Sequence, residues 1–400
     1  MRKHKSDRYI AVVTLILMAL GLIVIFAIGP QRANFMNSAY GTDYSSNYFF
    51  IHQLISVIVS LVAFVFAFKY PYEKLRQYAK WIVFAGIGLN LILALLALIG
   101  SSLASCQLGG CRWLNLGFLG GFQPAEFLKL GLVLYFATLV GKYKEQDKLE
   151  SRDFLQPYLI IAAISLFFSV ILQKDLGTGV VMMAITLAIL YMSGIKMSYF
   201  VTILCIILVG AVFSIVVSPH RMERIATFSG EGSDADSYHI ENAKMAIGTG
   251  GFWGVGIGNS VQATGYLPES INDSVFAVMG ETFGFRGLAL VVAGFALLLF
   301  RTLGVSTKLR TEESMVVIGV FAWVGTQVIV NIAAMTGLIP VTGITLPLLS
   351  YGGTSMMFVS FSLGLVLQLS CYTGREVNNE GISSRRGLRG THYTGRSSRP

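Results

Sequence analysis

Asp273 is the residue of this sequence whose type and position most strongly suggest catalysis. It lies in the segment GYLPESINDSVFAVMGETFG, and the residues that follow it directly are mostly apolar. A carboxylate at such a boundary between water and hydrocarbon is partly desolvated, which favours its use as a general base. Glu281 follows two helical turns later and is expected to face roughly the same way. We therefore predict a catalytic or ion-coupling role for Asp273, with Glu281 in support.

Glu126 and Lys129 are two charged residues at the start of another apolar stretch, GFQPAEFLK. They are three residues apart, so they share one face of a helix and can form an ion pair. Pro124 suits the first turn of that helix. Ionisable groups at membrane depth are costly and usually functional. Two interpretations stay open: the pair pins helices together, or it forms the charged floor of an outward-facing site.

Further polar candidates lie in predicted loops. Arg112 could bind phosphate through its planar guanidinium, and the adjacent Trp113 suits a membrane interface, so the two form part of a site or an interfacial anchor. Asp175, in QKDLGTG, either caps the helix that follows or takes part in catalysis. In NIAAMTGLIPVTGITLPLLSYGGTS, prolines and glycines interrupt helix, and Ser350 and Tyr351 supply hydroxyl groups. That combination favours a binding rim.

These residues stand out because charge is scarce in this chain. Of its 400 residues, 54% are hydrophobic and 13% are charged, whereas soluble domains carry about 25% charged residues. The apolar residues form runs of about 20, the length of helix that crosses a bilayer core. The composition excludes a soluble enzyme, a disordered protein and a small disulfide scaffold, and it predicts an all-α integral membrane protein. We predict ten transmembrane helices, at Tyr9–Gly29, Leu54–Phe68, Trp81–Ile99, Pro124–Val140, Tyr158–Leu172, Gly177–Met192, Phe200–Val217, Phe283–Phe300, Met315–Met335 and Met356–Cys371.

The basic residues predict the orientation of these helices. Most of the 30 lysines and arginines fall on one side if the N-terminus is cytoplasmic, and basic loops favour the cytoplasm. We therefore predict that both termini are cytoplasmic, that the first span is an uncleaved helix, and that a large extracytoplasmic loop, 218–282, joins helices 7 and 8. Its apolar, glycine-rich stretch AIGTGGFWGVGIG predicts a segment packed on protein. We assign 1–373 to the membrane domain and 374–400, rich in Ser, Gly and Arg, to a disordered basic cytoplasmic tail.

The sequence gives less support to other kinds of chemistry. The net charge of +9 accompanies no nucleic-acid-binding motif, so we expect no nucleic acid partner. No His/Cys cluster of metal-ligand type is visible and we assign no metal ligands, although acidic residues of the 218–282 loop could hold Mg²⁺ or Mn²⁺ weakly. Cys106 and Cys111 share one predicted outer loop, where they form a disulfide or remain free thiols.

Five segments, in this order, resemble the SEDS family (shape, elongation, division and sporulation), which comprises the FtsW and RodA peptidoglycan polymerases. The segments are RWLNLGFLGGFQPAEFLK, QKDLGTG, AIGTGGFWGVGIG, LPESINDSVFAVMGETFG and GLIPVTGITLPLLSYGGTS. The resemblance extends from the first span to the tenth. It implies an inverting glycosyltransferase that polymerises lipid II into glycan strands on the outer face of the bacterial cytoplasmic membrane. The residue that matches Asp273 is the family's proposed catalytic residue, and those that match Arg112, Glu126 and Lys129 are linked to its active site.

The resemblance also implies partners, namely a class B penicillin-binding protein as transpeptidase, other division proteins and membrane lipids. The QPAE motif and the basic tail resemble the division (FtsW) branch more than the elongation (RodA) branch, which implies a location at the division septum. The sequence departs from the family at YQxxQS, which is here YHIENA with His239 in second place, and at GEE, which is here GET. The complete predicted site has Asp273 as the catalytic residue and, as binding or supporting residues, Arg112, Trp113, Gln123, Glu126, Lys129, Asp175, Glu281, Ser350 and Tyr351.

Three alternatives stay open at this point. Charges among broken membrane helices also suit a transporter or flippase for lipid-linked precursors, although no internal repeat of the kind common in transporters is visible. A RodA-type polymerase of cell elongation is the second alternative. The third is a scaffold that recruits division proteins, which can coexist with enzymatic activity.

Overall fold

The computed structural model describes residues 6–107, 110–117, 120–216, 218, 222 and 234–372. Within these residues, ten helices are long and apolar enough to cross a membrane, which confirms the predicted number of spans. The helices are α1 (Arg8–Tyr40), α2 (Tyr48–Lys69), α3 (Tyr72–Gln77), α4 (Ala79–Leu98), α5 (Pro124–Lys144), α6 (Arg152–Leu166, continued by a π-helical turn at Phe167–Leu172), α7 (Leu176–Ser193), α8 (Met197–Val216), α9 (Asp234–Gly250), α10 (Val275–Ser306), α11 (Thr311–Met335) and α12 (Gly353–Ser370). The proposed tail, 374–400, lies outside the described residues.

A small antiparallel sheet accompanies the predicted helices. Its strands β1 (Ala104–Gln107), β2 (Gly110–Asn115) and β3 (Gly121–Phe122) lie in the order β1-β2-β3 within the predicted outer loop between α4 and α5. Cys106 and Cys111 are cross-strand partners and are joined by a disulfide. Hydropathy did not reveal the sheet because its strands are short and flanked by glycines.

The first helix is longer than its hydrophobic run. We predicted its end at Gly29, but α1 continues through Pro30 to Tyr40 and ends where Gly41 adopts a φ of 65°. A proline inside a helix removes one backbone hydrogen bond, yet here the helix is also held by packing. Gly29 lies against α2, where a Cβ on the glycine would stand 3.6 Å from the Cβ of Phe49. The Gly-Pro pair is therefore a packing position rather than a helix end.

The helices differ in how they face their surroundings. Most of α5, α11 and α12 is buried within the bundle, whereas α8 is apolar and almost entirely exposed, as expected for a helix that faces lipid. Glycines allow the closest contacts. A Cβ at Gly86 of α4 would lie 3.0 Å from the Cα of Leu128, and a Cβ at Gly131 of α5 would lie 2.9 Å from the Cα of Val83. The buried α5 is therefore fixed tightly against α4.

Helix α10 begins at Val275, eight residues before the predicted Phe283, and is bent at Gly284, whose φ of 66° and ψ of −168° are not helical. The bend frees backbone groups, and the glycine-rich segment after α9 satisfies them. Val255 N–H donates to the carbonyl of Glu281 (2.9 Å), Gly256 N–H to that of Thr282 (3.1 Å), and Phe285 N–H to that of Gly251 (2.8 Å). The glycine-rich stretch is thus packed on protein, as predicted, but the 218–282 loop contains α9 and the start of α10.

Candidate active site

The backbone around Asp273 is fixed from two sides. Tyr351 N–H donates to the carbonyl of Ile271 (2.8 Å). From α11, the side-chain amide of Asn331 donates to the carbonyl of Asp273 and to that of Ile344, both at 2.7 Å. Asp273 thus lies just before the start of α10, held between α11 and the 336–352 loop, with its side chain nearly buried at 7% exposure. Such anchoring keeps a carboxylate in one place, as a general base requires.

Arg112 and Asp273 come close to the same side of Gly343. A Cβ built on Gly343 would stand 3.8 Å from Arg112 Nη1 and 3.9 Å from Asp273 Oδ2, so the guanidinium and the carboxylate border the same glycine. The φ of Gly343 is 73°, a conformation that side-chain-bearing residues rarely adopt. A positive group and a negative group therefore face one narrow space at this end of the bundle.

Asp175 has the capping role that was one of its two predicted functions. Its Oδ1 accepts from the Thr178 N–H (2.9 Å) and its Oδ2 from the Thr178 hydroxyl (2.8 Å), at the start of α7. The carboxylate also lies 3.9 Å from Arg112 Nε, and Arg112 Nη2 donates to the carbonyl of Lys174 (3.0 Å). Asp175 therefore orients Arg112 electrostatically while it begins the helix.

Close backbone contacts bring the supporting elements together. A Cβ on Gly110, in β2, would lie 2.5 Å from the carbonyl oxygen of Gln173, just before α7. A Cβ on Gly177, in the first turn of α7, would lie 2.9 Å from the carbonyl oxygen of Thr342. The sheet, the start of α7, the 336–352 loop and the Asp273 segment therefore form one packed unit around Arg112 and Asp273. The disulfide closes the hairpin that carries Arg112.

Glu126 and Lys129 form a buried ion pair. Lys129 Nζ donates to Glu126 Oε1 (2.7 Å), and the two residues are only 1% and 4% exposed, for Lys129 and Glu126 respectively. The ammonium also lies 4.9 Å from the centre of the Trp323 ring of α11, a cation–π contact. These contacts fit the first interpretation, a pair that pins helices together. A direct role toward substrate stays a prediction.

Glu281 is fully buried and holds the 258–264 segment. Its carboxylate accepts from the Ser260 hydroxyl (2.5 Å) and from the backbone N–H groups of Val261 (2.9 Å) and Gln262 (3.3 Å to Oε2). We expected Glu281 to face roughly the same way as Asp273, which stays a prediction; Asp273 itself precedes Val275, the first residue of α10. Glu281 supports the site by fixing a loop.

The remaining predicted residues form the frame of the site. Ser350 Oγ accepts from the N–H of Leu346 (2.8 Å) and so closes a turn. The Tyr351 ring packs edge-on against Phe49, and burial, together with nearby tyrosines, raises the pKa of Tyr351 to about 12. Trp113 covers Gly121 of β3, while the Gln123 carbonyl accepts from the N–H of Glu126 at the start of α5 (3.1 Å).

Two residues at the site escaped prediction. Asn331 binds the Asp273 segment, but in sequence it is one amide among apolar residues. His239 of α9 is nearly buried and its Nε2 lies 2.7 Å from the Ser274 hydroxyl, which itself donates to the carbonyl of Pro268 (2.8 Å). The single hydroxyl proton is thus engaged, so Nε2 is the donor toward Ser274. The feature of the sequence that could have pointed to His239 is its departure from the family's YQxxQS motif.

Among the described residues, no three His, Cys, Asp or Glu side chains converge as a metal-binding group. The acidic residues Glu223 and Glu231 of the predicted loop lie outside that part of the chain.

The fold and the site define a multi-pass α-helical membrane protein with a carboxylate and a guanidinium at one end of its bundle. The family model "cell cycle protein", named for FtsW, RodA and SpoVE, matches residues 7–375. The chain belongs to this family, which is the SEDS family of the sequence resemblance. The chain is 31% identical over 373 residues, 92% of its length and 96% of the relative's, to a probable peptidoglycan glycosyltransferase FtsW of Coxiella burnetii.

A second relative and a solved structure agree with this assignment. Stage V sporulation protein E of Bacillus subtilis is 30% identical over 378 residues, which cover 93% of this chain and 99% of that protein. The fold is similar, with a TM-score of 0.72 and 22% identity, to a chain from a structure described as "structural coordination of polymerization and crosslinking by a peptidoglycan synthase complex". That comparison covers 93% of this chain and 99% of the other. It supports the ten-helix fold.

Proposed function

We propose that this protein is a peptidoglycan glycosyltransferase that polymerises lipid II, with Asp273 as the general base. The observation that carries the proposal is that Asp273 Oδ2 and Arg112 Nη1 both lie within 4 Å of the position that a Cβ on Gly343 would take. A glycosyl transfer needs a base for the acceptor hydroxyl and a positive group for the departing diphosphate, and these two side chains are of those types. The names of relatives that are about 30% identical over most of the chain support the same activity.

The proposed reaction is a single displacement at the anomeric carbon of the donor sugar. The acceptor hydroxyl oxygen forms the new bond to that carbon, and its proton passes to the Asp273 carboxylate. The bond from the anomeric carbon to the diphosphate oxygen breaks, and its electron pair leaves with the polyprenyl diphosphate. Attack from the face opposite the leaving group inverts the configuration. Because the donor carries its own lipid, it reaches the site along the bilayer.

Each supporting residue has a defined part in this proposal. Arg112 stabilises charge on the departing diphosphate through donors in a fixed fork, and Asp175 and the Lys174 carbonyl keep that fork in place. Asn331 fixes the Asp273 segment by its backbone, so the carboxylate need not reorganise during the reaction. Glu281 holds the neighbouring loop. The ion pair of Glu126 and Lys129 maintains the position of α5.

The test measures glycan synthesis from lipid II by the purified protein with its cognate transpeptidase. Asp273→Asn keeps the shape of the side chain but removes the base, and we expect synthesis to fall by about 100-fold or more. Glu241→Gln is the matched control, since Glu241 is an exposed carboxylate on α9 and its loss should leave synthesis unchanged. Full activity of a folded Asp273→Asn protein would remove the catalytic assignment. A chelator added to the parent reaction tests metal dependence separately.

The division role and the partner belong to the same proposal. The protein acts at the septum together with a class B penicillin-binding protein and other division proteins, which is supported by the relatives named FtsW. The synthase complex that it resembles in fold is described as coordinating polymerization and crosslinking. A fluorescent fusion in dividing cells should concentrate at midcell, and affinity purification should recover one transpeptidase. Uniform labelling along the cell wall would favour the elongation role instead.

A further inference from the structure

A second site lies far from Asp273, near the other end of α5. An open cavity of about 500 Å³ lies between the α3–α4 region and α5. Its wall on α5 runs from Tyr135 to Lys142, whereas the Glu126–Lys129 pair lies in the first two turns of that helix. At 1.5 Å per residue, Lys142 is about 24 Å along the axis from Glu126. The cavity is thus separate from the site described above, at the end that we predict to be cytoplasmic.

The charges that line this cavity are mainly positive. Arg76, Lys80 and Lys142 contribute three bases, against the single acid Glu73. Arg76 is fixed at the wall, because its Nε lies 2.8 Å from the carboxylate of the nearly buried Glu312 of α11. A guanidinium carries five N–H donors, so an arginine held at Nε can still present others. The arrangement suits an anion that binds beside a positioned arginine and two exposed lysines.

Apart from Gln77 and Thr138, the rest of the lining is mainly apolar, and this favours one kind of anion over another. Ala79, Tyr135 and Leu139 form part of the wall, and the adjoining α4 exposes most of its apolar surface on the outside of the bundle. An anion that also carries hydrocarbon chains can pair its charge with the basic residues and pack its chains against the apolar wall. Basic pockets between transmembrane helices are suited to anionic lipid headgroups.

We propose that this cavity binds the phosphate of an anionic phospholipid, with the phosphate held by Arg76, Lys80 and Lys142 and the acyl chains directed along α4 and α5. A lipid bound there would bridge α3, α4 and α5, next to the place where Glu312 joins α11 to α3. The site is independent of the reaction at Asp273.

The experiment measures lipid binding to the intact purified protein by native mass spectrometry and by thermal melting in detergent. The probes are phosphatidylglycerol, phosphatidylcholine and inorganic phosphate. We expect phosphatidylglycerol to remain bound and to raise the melting temperature, and the other two probes to do neither. The double variant Lys80→Gln/Lys142→Gln should weaken phosphatidylglycerol binding by about 30-fold, since each base near a lipid surface contributes about fivefold.

A matched variant controls for general loss of charge. Lys74→Gln/Lys148→Gln removes two exposed lysines from the same end of the bundle, outside the cavity lining, and should bind phosphatidylglycerol like the parent. Arg76 is left intact because its removal would strand the Glu312 carboxylate. Equal weakening in the two double variants, or equal binding of phosphatidylcholine, would overturn the proposal. Stabilisation by inorganic phosphate alone would overturn the lipid assignment and indicate a site for a soluble anion.

Discussion

The buried ion pair of Glu126 and Lys129 allows the two interpretations of these residues to be separated by experiment. Lys129→Met removes the ammonium and leaves the Glu126 carboxylate in a place that is 4% exposed. Breaking a buried pair on one side costs about 3–5 kcal/mol, because the remaining charge is uncompensated. The cation–π contact with Trp323 is lost as well, which can add about 2 kcal/mol when desolvated. The single variant should therefore be strongly destabilised.

Removal of both charges should restore much of that stability. In Glu126→Leu/Lys129→Met, no charge stays buried, and apolar replacements of buried pairs are often neutral or stabilising by about 1–4 kcal/mol. The stability of each protein is followed as the fraction that stays monodisperse in detergent after heating. The matched control is Lys144→Met, which removes an exposed lysine from the same helix. We expect the control and the double variant to melt near the parent.

Two outcomes would refute this reasoning. If Lys129→Met melts like Lys144→Met, the burial of the pair has no energetic effect. If the double variant is as unstable as the single one, the cost does not come from an uncompensated charge. Glycan synthesis by a stable double variant then decides the remaining question: normal synthesis means that the pair serves the fold alone, and lost synthesis means that it also acts toward substrate.

Three further predictions concern the frame of the site. Gly343→Ala forces a side chain into a backbone with a φ of 73° and should destabilise the protein by about 1–2 kcal/mol and slow glycan synthesis, whereas Gly88→Ala, where a Cβ meets open space, should do neither in melting and turnover assays. Asn331→Leu removes the side-chain amide that donates to the buried carbonyls of Asp273 and Ile344. It should lower stability by about 1–3 kcal/mol and reduce glycan synthesis even though the Asp273 carboxylate remains. The pKa of Tyr351 is raised by burial from 10 to about 12. The neutral form therefore contributes stability that is fully present below pH 10 and is lost as the pH rises through 12. The melting temperature of Tyr351→Phe should depend less on pH across that interval than that of the parent.

The parts of the structure that the sequence predicted are those set by local patterns. Ten apolar runs correspond to the ten candidate spans, because the length of a hydrophobic helix is dictated by bilayer thickness. Asp175 as a helix cap follows from its place directly before a helix, and the packing of the glycine-rich stretch follows from its composition. Arg112 and Asp273 were both identified, from separate segments.

The parts that escaped prediction depend on contacts between distant segments. Asn331 is 58 residues from Asp273 in sequence, and nothing in the apolar run around it indicates which carbonyl its amide meets. The end of α1 and the start of α10 were misplaced because hydropathy follows the membrane rather than the helix. The approach of Gly343 to both Arg112 and Asp273 needs three segments folded together, so it could be found only in the structure.

The bend of α10 at Gly284 also affects which substitutions this region can accept. The hydrogen bonds that fasten the glycine-rich segment to the bend come from peptide groups. Side chains add to the contact, since the Arg286 guanidinium lies 3.6 Å from the centre of the Trp253 ring and Phe252 stacks on Phe285. Gly250, Gly254 and Gly284 cannot accept a side chain, because a Cβ at any of them would lie within 2.4 Å of backbone in the other segment. The bend of α10 and the segment packed on it are therefore held at the closest backbone spacing, and that spacing excludes every residue but glycine at these three positions.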